Sequence, residues 1–432
     1  MNKALFLILI FFFFNNCTST KKLGFWKNNE KNQNNKKNIK QILITDKKKL
    51  TEFNPQLKLN LNIINIENKT FDNKNNIGSQ NYTGLLDKVG SYNYSKLDDI
   101  DQLNFKPAFL NDELIFFDKK GSITKYDNSQ KIIWKNNHYS KVEIKLKPKL
   151  YFAIDNENLL VVDSISKYYS VNINTGNLNW MKSNTYPFNS EIRKHKDKIF
   201  VVDYKNTLRC YNIKDGTECW NLQTDNSFTI SNSKNSLIII NESVIFNNSL
   251  GDITAVDIKT GLISWQLPTQ NSNIINETYN FKISKLVSDG KSIFFSNNKN
   301  EFYSVDFQTG ITNWVNKINS NITPIIINNL IFTISNEGYL FTIEKNTGNI
   351  IRINDVYKNY KIKKRKKITP VGFVVAKNKM YLTSNNGIMT IIDLNVGNII
   401  NNKKISSQYI SEPFIYNEHL YVIKKGSIIK FN

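Results

Sequence analysis

Hydrophobic and polar residues along most of this chain alternate in short runs separated by Asn, Gly, Asp and Lys, the pattern of half-buried strands and tight turns. The clearest stretch is Gly251–Trp265, GDITAVDIKTGLISW. Ile253, Ala255 and Asp257 fall on one face and Thr254 and Val256 on the other, as a strand requires. Thr260-Gly261 closes a hairpin whose turn uses positive φ, and Ile263 and Trp265 lead the chain back. Six more segments align with it: Gly121–Trp134, Ser166–Trp180, Asn206–Trp220, Asn300–Trp314, Gly338–Arg352 and Gly387–Asn401. Their last residues lie 46, 40, 45, 49, 38 and 49 positions apart. That is the period of a four-stranded propeller blade. Two shorter apolar runs precede each segment, such as Phe105–Leu110 and Glu113–Phe117 before Gly121, and complete the four strands.

The repeat predicts how the blades meet. Trp134, Trp180, Trp220, Trp265 and Trp314 hold a fixed place in their units and can wedge between neighbouring sheets, each burying roughly 150–250 Å². Arg352 and Asn401 stand where the next two units need Trp, which predicts weaker docking there. At the C-terminus, Pro413–Tyr416, His419–Lys424 and Gly426–Phe431 supply three strands and then the chain stops. Residues 83–95 are available to supply the fourth, tying first to last and removing exposed sheet edges. Residues 83–432 number 350, close to 44 per blade for eight blades. The expectation is an all-β, eight-bladed β-propeller of four-stranded antiparallel blades, with an N-terminal strand closing the last one.

Ahead of the repeats the pattern changes. Ala4–Phe14 is an unbroken apolar stretch behind Lys3. It is too short to span a bilayer and has the length of a signal-peptide core. Cys17 follows after Asn15 and Asn16. This arrangement resembles a bacterial lipoprotein signal, in which the Cys becomes the lipidated first residue, although small residues usually stand where the two Asn are. Thr18 rather than Asp after the Cys implies the outer membrane, periplasmic face. The expected organisation is a signal peptide at 1–17, a Lys/Asn-rich polar tether at 18–76 and the propeller at 77–432. Within the tether, Leu57, Leu59, Leu61, Ile63 and Ile64 nearly alternate with polar residues, a strand-like pattern.

Composition narrows the function. Across 432 residues, 58 Lys and Arg against 36 Asp and Glu give +22, which invites a nucleic-acid reading. The secretory signal opposes it, and Lys is spread along the chain rather than gathered on one element. The densest run is Lys361–Lys367 (KIKKRKK), either a solvated loop or a contact for anionic lipid or an acidic partner. Three scattered His and three Cys leave no metal-ligating pattern, so no metal or cofactor is expected. The chain has no G-x-S-x-G elbow, P-loop or H-E-x-x-H motif. Asp127, Asp257, Asp306 and Asp393 recur with the repeat at hairpin entrances, which reads as turn acceptors rather than catalytic carboxylates. If the hairpin after Cys210 is centred on Lys214-Asp215, Cys210 faces Cys219, and a disulfide or two buried thiols both fit.

The A-x-D-x-x-T-G-x-x-x-W unit resembles the PQQ-like, tryptophan-docking repeat. Together with the lipoprotein-like signal, polar tether and N-terminal closing strand, the layout over 77–432 resembles the BamB family of the outer-membrane β-barrel assembly machinery. The resemblance implies a non-catalytic scaffold that docks on the periplasmic domains of BamA, beside other lipoproteins of the complex, and assists the folding and insertion of barrel proteins. It places the docking loops at Phe228, Ile230 and Ser231 and at Asn280 and Lys282. Ser231 stands where that family has Arg, and Asn280 and Lys282 where it often has acids. Strand core is the other reading of Phe228 and Ile230. Two alternatives share the repeat: a periplasmic binding propeller of another envelope complex, and a PQQ-dependent dehydrogenase. The latter is disfavoured by the lack of an adjacent Cys-Cys pair and by the length of the chain.

Overall fold

In the computed structural model of the chain, residues 50–61, 75–95, 103–225, 233–269 and 281–432 are described. The chain divides into two units, 1–51 and 52–432, and all that follows concerns the second. Eight sheets form the blades of a propeller. The fourth blade shows the plan: Leu237–Ile240 is innermost, then Ser243–Asn247, Ile253–Asp257 and the outermost Ile263–Leu267, each antiparallel to its neighbour. The second and third strands of the blades are the most apolar, and their side chains form the cores between sheets. Outermost strands alternate between exposed and half-buried positions, because only one of their faces meets a neighbouring blade.

Trp and Gly of the repeat work as a pair across the seam between blades. Each indole N–H donates to a carbonyl at the hairpin entrance of the next blade: Trp134 to Ile173 at 3.1 Å, Trp180 to Ile213 at 3.1 Å and Trp220 to Ile258 at 3.0 Å. Trp265 and Trp314 do the same to Phe307 and Lys345. The ring lies on the turn glycine of that next blade. A Cβ on Gly261, whose φ is +72°, would sit 2.7 Å from the Trp220 ring. The turn therefore needs glycine twice, for its backbone angle and for the ring resting on it. Asp257 accepts from the N–H and the hydroxyl of Thr260, both at 2.7 Å, and Asp306 does the same with Thr309. Asp393 and Asp127 accept from turn N–H groups in their own hairpins. These are the turn acceptors that their periodic recurrence predicted.

The expectation of weak docking after the sixth blade is corrected by Arg352. Its side chain is fully buried. Nη2 donates to Leu394 O at 2.6 Å, the position of the indole bond at other seams. Nη1 donates to Asn395 O and to Leu57 O, both at 2.9 Å. The arginine thus replaces one indole bond with three bonds and ties in an N-terminal strap. Along that strap Phe53 bridges Ile353 on the outer strand of blade six, and Leu59 N–H donates to Asn395 O at 2.8 Å. At the next seam Asn401 is exposed, and Lys403 instead bonds Leu86 O and pairs with Asp87.

Ring closure follows the predicted scheme. Lys88–Asn93 pairs antiparallel with Ser427–Phe431 as the fourth strand of blade eight. Tyr92 is buried in that strand, edge-on to Tyr126 of blade one at 5.6 Å, and the Tyr126 hydroxyl donates to Asn93 O.

Asp163, the last residue of the second strand of blade two, carries a pH signature. It accepts from the N–H groups of Ile165 and Lys167 and from the Tyr139 hydroxyl at 2.6 Å. Burial outweighs these bonds and pushes its carboxyl up to about 6. A carboxyl raised above its unfolded value gives stability that is complete below about pH 4 and lost as pH rises through about 6. Asp163→Asn is expected to remove that loss, worth about 3 kcal/mol. Urea unfolding at pH 4 and pH 6.5 checks it. The wild-type chain should lose more stability across the window than the variant, and equal losses would contradict the assignment.

Candidate functional site

The innermost strands of the eight blades face the propeller axis, and the space they enclose is filled from one end by the chain's own N-terminal segment. Ser79–Gln80 pairs parallel with Val375–Ala376 at the end of the innermost strand of blade seven. Two side-chain amides extend this plug. Asn75 donates to Ile239 O at 2.5 Å and accepts from Ile239 N–H, and Asn76 makes the same pair with Ile326 at 3.0 and 3.1 Å. An asparagine side chain carries one donor and one acceptor in the geometry of a peptide group. It can therefore satisfy a strand that has no neighbour on the axial side. Asn75 O also accepts from Ser288 N–H of blade five. Blades four, five, six and seven are pinned to one short segment.

Above the plug lies a ring of residues, each two positions before the innermost strand of its blade. Lys106, Glu191, Lys285 and Glu412 are its charged members. Lys285 pairs closely with Glu191 and lies 3.8 Å from Glu412, while Lys106 meets Glu412 at 3.1 Å. Arg193 flanks Glu191 at 3.8 Å. Burial opposes charge on both glutamates. For Glu191, Lys285, Lys106 and Arg193 outweigh it; for Glu412, Lys106 and Lys285 do. Both carboxyls are held below the usual carboxylate range. The ring is therefore a fixed ionic floor rather than a titrating one.

Beyond the floor the channel widens into a cavity of about 870 Å³, lined by residues of all eight blades. Its charged lining is four lysines, Lys149, Lys234, Lys282 and Lys285, against the two floor glutamates. Lys234 lies with its ammonium 3.3 Å from the centre of the Phe105 ring and 5.1 Å from that of Tyr151. This cation–π placement fixes the charge in space. Asn235, the ring member of blade four, is 3% exposed, and neither its amide nitrogen nor its amide oxygen has a partner.

Of the residues proposed from the sequence to meet a partner, Phe228, Ile230, Ser231 and Asn280 lie outside the described residues, as does Cys17. Lys282 is exposed at the mouth of the cavity, its backbone paired with Asn298. The five Trp stand at the blade seams, away from the axis. Cys210 and Cys219 are free thiols. A bulge at Cys219 shifts the expected register, so that Cys210 faces Trp220 and Tyr211 faces Glu218. Burial, together with the neighbouring Cys219, raises the Cys210 thiol. The basic run forms a short helix, Ile362–Arg365, with Ile362 exposed and Arg365 held to Asp355 at 2.5 Å.

The plug, the ring and the cavity were not singled out from the sequence. A signal was present for the ring: a charged or polar residue recurs two positions before the first strand of most units.

The blade plan can now be set beside known proteins. The sequence profile described as "Outer membrane protein assembly factor BamB" matches residues 119–354, more than half of the chain. The chain belongs to the BamB family. A search of curated protein sequences finds no match. Among solved structures, BamB from Moraxella catarrhalis superposes with a TM-score of 0.65 at 17% identity, over 81% of this chain and 100% of that one. A europium-containing methanol dehydrogenase superposes with a TM-score of 0.61 at 10% identity, over 81% and 88%. The quinohemoprotein alcohol dehydrogenase of Comamonas testosteroni gives 0.55 at 11% identity, over 80% and 76%. At these identities the likeness is one of fold.

The europium-containing and quinohemoprotein neighbours raise the question of a metal or quinone site, and the described residues of this BamB-family chain's channel do not fit one. The two acids among its described lining residues are engaged by Lys106, Arg193 and Lys285, so a cation would have to displace ammonium and guanidinium groups. Among the described residues no three His, Cys, Asp or Glu side chains converge. Cys210 and Cys219 belong to the outer hairpin of blade three, not to the channel.

Proposed function

We propose that this protein is a non-catalytic scaffold subunit in outer-membrane protein assembly. It would be anchored through a lipid on Cys17 at the periplasmic face of the outer membrane and dock on the periplasmic domains of a BamA-like barrel protein. The observation that carries this reading is the family match over residues 119–354. Two features support it. The ring is closed by the chain's own N-terminal strand, which gives blade eight the same four strands as the other blades. Among the described residues the channel carries a fixed ionic floor whose two carboxyls are held below the usual carboxylate range, whereas catalytic groups need values near the working pH.

A mild-detergent pull-down of the tagged mature protein from its own envelope, with mass spectrometry of what is recovered, tests the reading. The expected result is reproducible recovery of a large outer-membrane barrel carrying periplasmic repeat domains. Recovery of other envelope components without that barrel would sink it.

A further inference from the structure

We propose that the propeller lies against an anionic phospholipid surface through two short basic helices, Lys141–Lys145 and Ile362–Arg365, whose exposed aliphatic neighbours enter the headgroup layer. Four observations on the described residues lead there, and the first three do not depend on the scaffold reading.

The first is placement. The helix Lys141–Lys145 lies in the connection from blade one to blade two, and Ile362–Arg365 in that from blade six to blade seven. Strands within a blade alternate in direction, so every connection from an outermost strand to the next innermost strand falls at the same end of the propeller. Lys149 and Thr369, each shortly beyond its helix, both line the axial cavity. The second is charge. Within Lys361–Lys367 every residue but Ile362 is cationic. Arg365 is held by Asp355 and Lys364 lies over the Tyr360 ring. Lys361, Lys363, Lys366 and Lys367 are exposed and pair with no carboxylate among the described residues. Such a run repels itself, and an anionic surface relieves the repulsion. In the other helix Glu143 is already paired with Lys167 at 2.7 Å, while Lys141 and Lys145 are exposed.

The third is the apolar tips. Ile362 is 75% exposed among its lysines. In the other helix Ile144 packs inward on the core, which turns Val142 and Leu146, one turn apart, outward, where they are 71% and 62% exposed. Aliphatic side chains set among lysines match the boundary between headgroups and acyl chains, where lysine stems lie along the apolar layer and their ammonium groups stay at the phosphates. An acidic protein surface would engage the lysines and leave these tips in water. The fourth is the path of the chain. Glu52, the first residue of the second unit, accepts from Asp355 N–H at 3.0 Å and pairs with Lys358 at 3.4 Å, and Asp355 is the residue that holds Arg365. A lipid on Cys17 would therefore tether the propeller by the end that carries both helices. Asp98, Asp99 and Asp101 fall in sequence between the strand Lys88–Asn93 and blade one, so the contact is assigned to the two helices and not to the whole end.

Vesicle flotation tests the proposal, with the chain from residue 17 carrying Cys17→Ser. No lipid then contributes, and failure here is separate from failure of the pull-down. Vesicles of phosphatidylethanolamine with phosphatidylglycerol should bind the chain, more weakly at higher salt, and vesicles of phosphatidylcholine should not. Lys363→Gln with Lys366→Gln and Lys367→Gln should lower the partition by on the order of tenfold or more. Val142→Ser with Leu146→Ser and Ile362→Ser leaves the charge unchanged and should lower it by on the order of tenfold. A control with Lys131→Gln, Lys214→Gln and Lys259→Gln removes charge from exposed hairpin turns at the opposite end and should bind as the parent chain does. Absence of binding to the anionic vesicles overturns the proposal. So does an equal loss in the control, or full binding in both helix variants, which would leave the Lys/Asn-rich tether as the contact. Loss on removing the lysines with none on removing the aliphatic residues also overturns it, and points to an acidic protein instead.

Discussion

Arg352→Ala is expected to lower the stability of the propeller by about 4 kcal/mol, one of the largest effects available to a single substitution here. The guanidinium is buried without exposure and holds three carbonyls, those of Leu57, Leu394 and Asn395. Burial pulls it down to about 10, with Asp393 opposing, so it stays cationic at neutral pH. Truncation leaves the three oxygens in a site too tight to hydrate freely, each at a cost of about 1–3 kcal/mol, and opens a cavity. Because one of the three belongs to the N-terminal strap, the same substitution should free residues 52–61 to early proteolysis. Arg352→Lys keeps charge but not the planar fork and should fall between. Denaturant unfolding together with limited proteolysis decides it. A loss below about 1 kcal/mol with the strap still protected would mean that the seam is held elsewhere.

A chain that begins at residue 103 is expected to fail as a cooperative monomer. It lacks the strand Lys88–Asn93, so the whole length of Ser427–Phe431 becomes an exposed edge of the kind that pairs with other chains. It also loses Tyr82, Leu86 and Tyr92, all within 1% of full burial, each worth about 1.5–3 kcal/mol. The total approaches the about 5–15 kcal/mol by which a domain is stable at all. A chain beginning at residue 75 keeps plug and closing strand and should melt in one transition. Size-exclusion chromatography with light scattering, followed by thermal melts of both chains, gives the comparison. A monomeric residue-103 chain melting with the longer one would show that blade eight closes without its fourth strand.

Much of the architecture was legible in the linear pattern. The spacing of Trp134, Trp180, Trp220, Trp265 and Trp314, with a turn glycine in most units, specified four strands per unit. The shortfall of one strand after Phe431 pointed to a closing strand near residues 83–95. These features are local and periodic, and period-two alternation and turn chemistry are properties of short windows of sequence. Arg352 shows where that reading stopped. As a position it was a missing Trp, because only the packed seam reveals three carbonyls converging where the indole would lie. The plug was hidden for a similar reason. Asn75 and Asn76 sit in a run of Lys and Asn, and nothing in composition separates them from their neighbours until a ring of blades creates an axial strand edge for their amides to satisfy.

The sequence by itself determined the fold class, the blade boundaries, the turn acceptors and the closure, since each follows from contacts between residues near one another or from a repeat that counts itself. The tertiary structure alone decided the channel. Lys106, Glu191, Lys285 and Glu412 are separated by long stretches of chain and look like ordinary surface charges one at a time. They become an ionic floor because eight-fold closure brings the same position of different blades onto one axis, where opposite charges from distant parts of the chain come within pairing distance.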